Sequence, residues 1–240
     1  MEVLAIIPAR GGSKSIPRKN IIPFLGRPLI SWSIAAAHSA KSITRTIVST
    51  DDEEIAAVAH DAGAEIPFLR PAKLASDDVV DYPVIRHVID TLEDTESYCP
   101  DVVVQLRPTS PLRPEGLIDD GVGRILDNPG ADSLRVVCEP VNNPYKMWRL
   151  DGDLMLPLFD AGIPEQYNMP RQKLPTAYWQ IGILDVIRTR TIIEQESLTG
   201  ERVMPLIVDP ALAVDIDDDA SLRRAEEACR AFSMDKVFCA

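Results

Sequence analysis

Over its first two-thirds the chain alternates short apolar runs with longer segments of helical spacing, and that alternation leaves few folds open. Val3-Leu4-Ala5-Ile6-Ile7-Pro8 reads as a buried strand. Residues 28–40 then read as a helix and Thr46-Ile47-Val48-Ser49-Thr50 as a short strand. Asp51 or Asp52 is placed to cap a helix reaching Ala62, with Ile55, Val58, Ala59 and Ala62 on its apolar face. Residues 65–69 are a further strand candidate. Val84, Ile85, Val88, Ile89 and Leu92 stripe an amphipathic helix, and Val102-Val103-Val104-Gln105-Leu106 follows as a strand. This βαβα rhythm predicts an α/β fold, a parallel sheet with helices on both faces and a ligand site at the carboxyl ends of the strands.

The rhythm breaks near Glu139. Residues 140–180 hold six prolines and a turn signal at Asp151-Gly152-Asp153, so they are expected to form an irregular excursion from a single domain spanning residues 1–240. Residues 204–208 and 213–217 read as extended. A final helix over residues 220–232 puts Leu222, Ala225, Cys229 and Phe232 on one face.

Between Glu2 and Asp51 lie seven Lys and Arg residues and no carboxylate, although the chain has 37 acids against 25 bases and an even spread would put about seven acids there. The island centres on Arg10-Gly11-Gly12-Ser13-Lys14-Ser15-Ile16-Pro17-Arg18-Lys19-Asn20, directly after the first strand. Glycine lets backbone N–H groups approach an anion, and Arg and Lys add mobile positive charge, so the loop is suited to a polyphosphate. Arg10 and Lys19 are the best placed to hold the phosphates. The loop lacks both the Gly-Lys-Ser/Thr close of a Walker loop and the Gly-x-Gly-x-x-Gly pattern.

The net charge of −12 opposes nonspecific binding to nucleic acid or to an anionic membrane. No apolar run reaches the roughly 18 residues of a membrane span, and no secretory leader is read before the first strand, so a cytoplasmic location is expected. Cys99, Cys138, Cys229 and Cys239 lack metal-site spacing and read as reduced packing thiols. His38, His60 and His87 fall on predicted helices, away from the strand ends, and Trp32, Trp148 and Trp179 are too scattered for a stacking platform.

Asp215-Ile216-Asp217 sets two carboxylates on one face of an extended segment, as a hard cation such as Mg²⁺ requires, although an Asp run ahead of a helix also serves as an N-cap. Arg107-Pro108-Thr109-Ser110-Pro111-Leu112-Arg113 follows a strand and is suited to a phosphate or carboxylate, or else forms a rigid polar turn. Arg70-Pro71-Ala72-Lys73-Leu74-Ala75-Ser76-Asp77 is either a base pocket or a surface loop. Lys146 and Arg171 lie in the excursion.

These segments together resemble the acylneuraminate cytidylyltransferases, the CMP-sialic acid synthetases. The likeness runs from Ile7 to Asn20, through Arg70-Pro71 and Leu74-Ala75-Ser76-Asp77, through Pro108-Thr109-Ser110-Pro111-Leu112-Arg113, and on to Arg171-Gln172-Lys173-Leu174-Pro175 and Asp215-Ile216-Asp217. It implies a Rossmann-like, three-layer fold of the nucleotide-diphospho-sugar transferase type, with a mixed, mostly parallel sheet. It also implies Mg²⁺-dependent transfer of CMP from CTP to the anomeric hydroxyl of an acidic nine-carbon sugar, and a homodimer joined through the excursion. By the same resemblance Arg10, Gly11, Gly12, Ser13, Lys19 and Asn20 would contact the nucleotide, Arg70, Ala75 and Asp77 the cytosine, and Asp215 and Asp217 the metal. Arg107, Thr109, Ser110, Arg113, Lys146, Arg171 and Gln180 would surround the sugar.

Three departures fall where the sugar would be read: Arg107 replaces a usual Gln, Ile181 a usual Asn, and Asp185 a position often held by Tyr. The acceptor is therefore left open among sialic acid and its bacterial relatives, legionaminic and pseudaminic acid. Transfer to a sugar 1-phosphate, glycosyl transfer with Asp215-Ile216-Asp217 as the metal motif, and nucleotide binding without catalysis are the competing readings.

Overall fold

The computed structural model describes residues 1–234 and Phe238. The elements in chain order are β1 (Val3–Pro8), β2 (Pro23–Phe24), β3 (Arg27–Pro28), α1 (Leu29–Ser39), β4 (Arg45–Ser49), α2 (Glu53–Asp61), α3 (Asp81–Glu96) and β5 (Val102–Gln105). There follow α4 (Leu117–Asp127), β6 (Ser133–Cys138), β7 (Trp148–Asp151), β8 (Leu154–Pro157), β9 (Trp179–Arg188), α5 (Thr189–Glu194), β10 (Val203–Ile207) and α6 (Asp219–Ala231).

The central sheet has six strands in the order β10-β6-β9-β5-β1-β4. Side-chain alternation along β1 builds the layers. Val3, Ala5 and Ile7 face a cluster with Ile30 and Ile34 of α1, Ile55 of α2 and Ile118 and Val122 of α4. Leu4 and Ile6 face the other way, toward Ile85, Val88, Ile89 and Leu92 of α3 and Ile192 of α5. A strand buried on both sides must be apolar throughout, which is why the first strand was legible without a period. A satellite core under α6 gathers Phe24, Trp32, Leu112, Ile216 and Ala225.

Strand β1 pairs in parallel with both β4 and β5. The chain thus leaves β1 toward one side and later crosses to the other, and this reversal opens a crevice at the carboxyl end of β1.

Three expectations are corrected, and three elements had not been read. Residues 65–69 form no strand beyond a single bridge between Ile47 and Glu65. Residues 213–217 are irregular: the Ile216 N–H donates to the Thr109 carbonyl at 2.8 Å, so the segment is tied to the loop after β5 instead of to a ladder. Phe232 is 42% exposed and does not join the buried face of α6. Strand β9, ten residues long, was hidden in and beyond the proline-rich excursion, and it runs antiparallel to both β5 and β6. Asp185 breaks its apolar pattern in the sequence, yet is wholly buried because two arginines meet it. Helix α4 and strand β6 were also unread.

The excursion carries the hairpin β7–β8, which turns at Gly152 with φ +58°. Trp32 belongs to the satellite core, Trp148 stacks on Tyr167 at 3.8 Å between ring centroids, and Trp179 is exposed. No helix among the described residues is long and apolar enough to cross a membrane. The expectation for Cys239 lies outside the described residues.

Candidate active site

The loop after β1 is anchored before any ligand is considered. The Gly11 N–H donates to Asp51 at 3.0 Å, and a Cβ at Gly11 would stand 2.8 Å from the Asp52 carboxylate, so the close approach requires glycine. Arg18 adopts a left-handed backbone conformation, φ +58°, uncommon for a residue with a side chain. Its guanidinium grips Asp52 with bonds of 2.7 and 2.8 Å, which holds that turn. Asp52 in turn caps α2 by accepting from the Ile55 N–H at 2.9 Å. The Asn20 amide donates to the Arg10 carbonyl at 2.9 Å, so Asn20 closes the loop from within.

All four cations of the island meet protein carboxylates. Arg10 and Lys14 share Asp77 at 2.9 and 2.5 Å, Arg18 takes Asp52, and Lys19 Nζ lies 2.9 Å from Asp217 Oδ1. Lys14, with Arg10, holds the Asp77 carboxyl below the usual carboxylate range. These acids occupy positions suited to the oxygens of a polyphosphate.

A cleft of about 300 Å³ opens here, lined by Arg10, Ser13, Lys19 and Asn20 from the first loop, Arg70, Leu74, Ser76 and Asp77 from the second, and Arg107 and Thr109 from the third. Three loops widely separated in sequence therefore converge at the predicted strand ends. A larger hollow of about 750 Å³ between α1, α2 and Phe238 gathers, among the described residues, only Arg27, His38 and Asp61 as charged or titratable groups, so size alone does not select the site. His87 packs edge-on against Phe68, and burial lowers its pKa, which suits a neutral packing residue.

Several predicted site residues hold the frame. Arg70 is 5% exposed and donates to the Ser49 carbonyl at 3.1 Å, bracing the second loop against β4. Arg113, expected beside the sugar, is buried, donating to the Ile183 carbonyl at 2.6 Å, the Arg107 carbonyl at 2.7 Å and Ser33 Oγ at 3.0 Å. Burial, reinforced by Arg107, pushes its pKa down to about 9, which still leaves it protonated at neutral pH. Ser110 is also buried, 1% exposed, and is absent from the cleft lining. Arg107 lines the cleft, but its expected carboxylate partners are the protein's own, Asp81 and Asp185, each at 2.7 Å.

Lys146, Arg171 and Gln180 are exposed and lie outside this cleft. Arg171 pairs with Glu139 at 3.0 Å at the root of the excursion, where a separate hollow of about 220 Å³ opens.

The acid run divides its duties. Asp218 caps α6, accepting from the Ser221 N–H in a capping box, while Asp215 and Asp217 are exposed on either side of buried Ile216. Two carboxylates without a capping duty, beside a phosphate-suited loop, fit a hard divalent cation. No third His, Cys or carboxylate joins them among the described residues, so ligand phosphates and water would complete the shell.

Sequence reasoning missed Asp81, the first residue of α3, and marked Asp185 only as a departure at the sugar position, not as a partner of Arg107. Their signal was a cation at Arg107 that needed partners, and it was not legible until β9 was placed beside β5.

Comparisons with known proteins agree with this geometry. Residues 4–147 match the family model described as Cytidylyltransferase. The chain is 31% identical over 226 residues to a pseudaminic acid cytidylyltransferase of Campylobacter jejuni, covering 94% of this chain and 95% of that one. It is 32% identical over 229 residues to a CMP-N,N'-diacetyllegionaminic acid synthase of Legionella pneumophila, covering 90% and 91%. A solved CMP:2-keto-3-deoxy-manno-octonic acid synthetase complexed with CTP superposes with a TM-score of 0.68 at 13% identity, over 96% of this chain and 99% of that one, so the two share a fold.

Proposed function

Since the chain belongs to the cytidylyltransferase family and is a nucleotidyltransferase, we propose that it transfers CMP from CTP to the anomeric hydroxyl of a nonulosonic acid, releasing pyrophosphate. One observation carries the reading: Lys19 of the first loop and Asp217, 198 residues later, meet at 2.9 Å beside a single cleft. Phosphate-suited cations and metal-suited carboxylates are thereby brought together.

In this reading the hydroxyl oxygen bonds to the α-phosphorus, the bond from that phosphorus to the bridging oxygen breaks, pyrophosphate leaves and the hydroxyl proton passes to solvent. Arg10, Lys19 and the backbone N–H groups of the loop stabilise charge developing on the phosphates. Asp215 and Asp217 would hold Mg²⁺, which when bound supplies further positive charge to the phosphate oxygens. On binding CTP, Asp77 would give up Arg10 and Lys14 to the triphosphate, and the second loop, with Arg70 and Ala75, would meet the base.

The deciding measurement is pyrophosphate release with Mg²⁺, crossing CTP, UTP, GTP and ATP with several nonulosonic acids and hexosamine 1-phosphates. CTP-dependent release with a nonulosonic acid is expected. Release only with another nucleotide and a sugar 1-phosphate would overturn the acceptor. In the same assay Asp217→Asn is expected to move the Mg²⁺ titration midpoint upward, and an unchanged titration would reduce Asp217 to a partner of Lys19.

The protein is also proposed to act as a homodimer. Leu150, Leu154 and Met155 on the β7–β8 hairpin are 76%, 67% and 56% exposed, a density of bare apolar side chains that association would cover. Lys146 and Arg171, remote from their own cleft, would then approach the partner's. Sedimentation should give a dimer that Leu150→Glu with Leu154→Glu converts to a monomer; a monomeric starting protein would remove the proposal.

A further inference from the structure

We propose that Asp77 is an internal competitor of the phosphate loop: its carboxylate occupies the place of one phosphate group, and a polyphosphate must displace it to bind. The proposal rests on the loop being a polyphosphate site, as proposed above, and not on the identity of the acceptor. Asp77 Oδ1 lies 2.9 Å from Arg10 Nη1, and Oδ2 lies 2.5 Å from Lys14 Nζ, so each oxygen takes a different cation. Guanidinium and ammonium donors serve carboxylate and phosphate alike, so a phosphate group would claim the same pair.

Other acids that meet this loop also serve the frame. Asp51 accepts from the Gly11 N–H, and Asp52 caps α2 at the Ile55 N–H. Asp77 has no such duty: among the described residues, Arg10 and Lys14 are the only partners of its carboxylate. Its side chain is 39% exposed and that of Lys14 is 80% exposed, so the contact can open without repacking a core.

The two loops are anchored independently of this contact. Buried Arg70 donates to the Ser49 carbonyl at 3.1 Å and to the Leu74 carbonyl at 3.4 Å, fixing the second loop just before Asp77. Gly11 and Arg18 fix the first loop through Asp51 and Asp52. Acid and cations therefore face each other whether or not they pair, which keeps the effective concentration of the competitor high. In the proposed reaction Asp77 retakes both cations as pyrophosphate leaves, and so favours its departure.

The test is calorimetric binding of inorganic tripolyphosphate and pyrophosphate to the full chain without Mg²⁺, since these ligands carry neither base nor sugar. Loss of a binding residue weakens binding, whereas loss of a competitor tightens it. Asp77→Asn should tighten both ligands by about three- to thirtyfold, the worth of two part-exposed ion pairs. Asp78→Asn makes the same change of charge one residue on, at an exposed acid without an ion pair among the described residues. It should tighten binding by less than about twofold, because an exposed charge without a direct contact is screened. In a Lys14→Ala background the gain from Asp77→Asn should shrink to about two- to fivefold, since only Arg10 is left to release.

Unchanged or weaker polyphosphate binding in Asp77→Asn would overturn the proposal; if CTP alone weakened, Asp77 would belong to the base. An equal gain in Asp78→Asn, or an undiminished gain in the Lys14→Ala background, would also overturn it, leaving only the general field of the acids. If neither wild type nor variants bind a polyphosphate, the phosphate site itself falls, and the proposed function with it.

Discussion

Lys19→Ala should lower kcat by on the order of 10²- to 10³-fold, the usual cost of removing one preorganised charge from a developing phosphate or oxyanion. The fold should barely register the change. The Lys19 side chain is only 11% exposed, but its partner Asp217 is 72% exposed and can turn to water once the lysine is gone, so losing the pair should cost no more than about 1 kcal/mol. Steady-state pyrophosphate release beside a thermal melt separates the two effects. Near-normal turnover at unchanged melting temperature would remove Lys19 from the chemistry.

The second large effect is on stability. Asp185→Asn should cost about 3–5 kcal/mol, because it strips the carboxylate shared by Arg107 and Arg135 and leaves buried positive charge uncompensated. The Asp185 side chain is fully buried, and Arg135 beside it is 7% exposed, so solvent cannot take over the role. Asp81 retains its hold on Arg107, which keeps the loss from falling wholly on one residue. A urea denaturation series gives the free energy directly. A variant within 1 kcal/mol of wild type would mean that the cluster is hydrated or that the arginines find other acceptors.

The contrast between Lys19 and Asp185 follows from where each lies. Lys19 reaches an exposed acid across a cleft and can release it to a ligand, whereas Asp185 sits in mid-strand on β9 and holds two cations in the interior. The pairing of Asp77 with Arg10 and Lys14 belongs with the first kind. Its carboxyl pKa is lowered by those cations, so its contribution is present above the ordinary carboxylate range and is lost as pH falls through the lowered value.

Local pattern was enough for the features whose cause is local. The apolar run of β1, the cap at Asp52, the spacing of α3 and the carboxylate-free island each depend on neighbours a few residues away, and so each was readable in order along the chain. The same holds for the exposure of Asp215 and Asp217 around Ile216, although that segment is not a strand. What the tertiary structure alone decided is the set of partners. Strand β9 arrives from the far side of the excursion and inserts between β5 and β6, bringing Asp185 to Arg107 and Ile183 to Arg113. A lone acid in an apolar run and two arginines in a loop look, in sequence, like interruptions and ligand contacts. Burial converts them into a compensated cluster, because a charge removed from water must find its opposite nearby, and the sequence separation of 78 residues between Arg107 and Asp185 hides that match until the sheet is assembled.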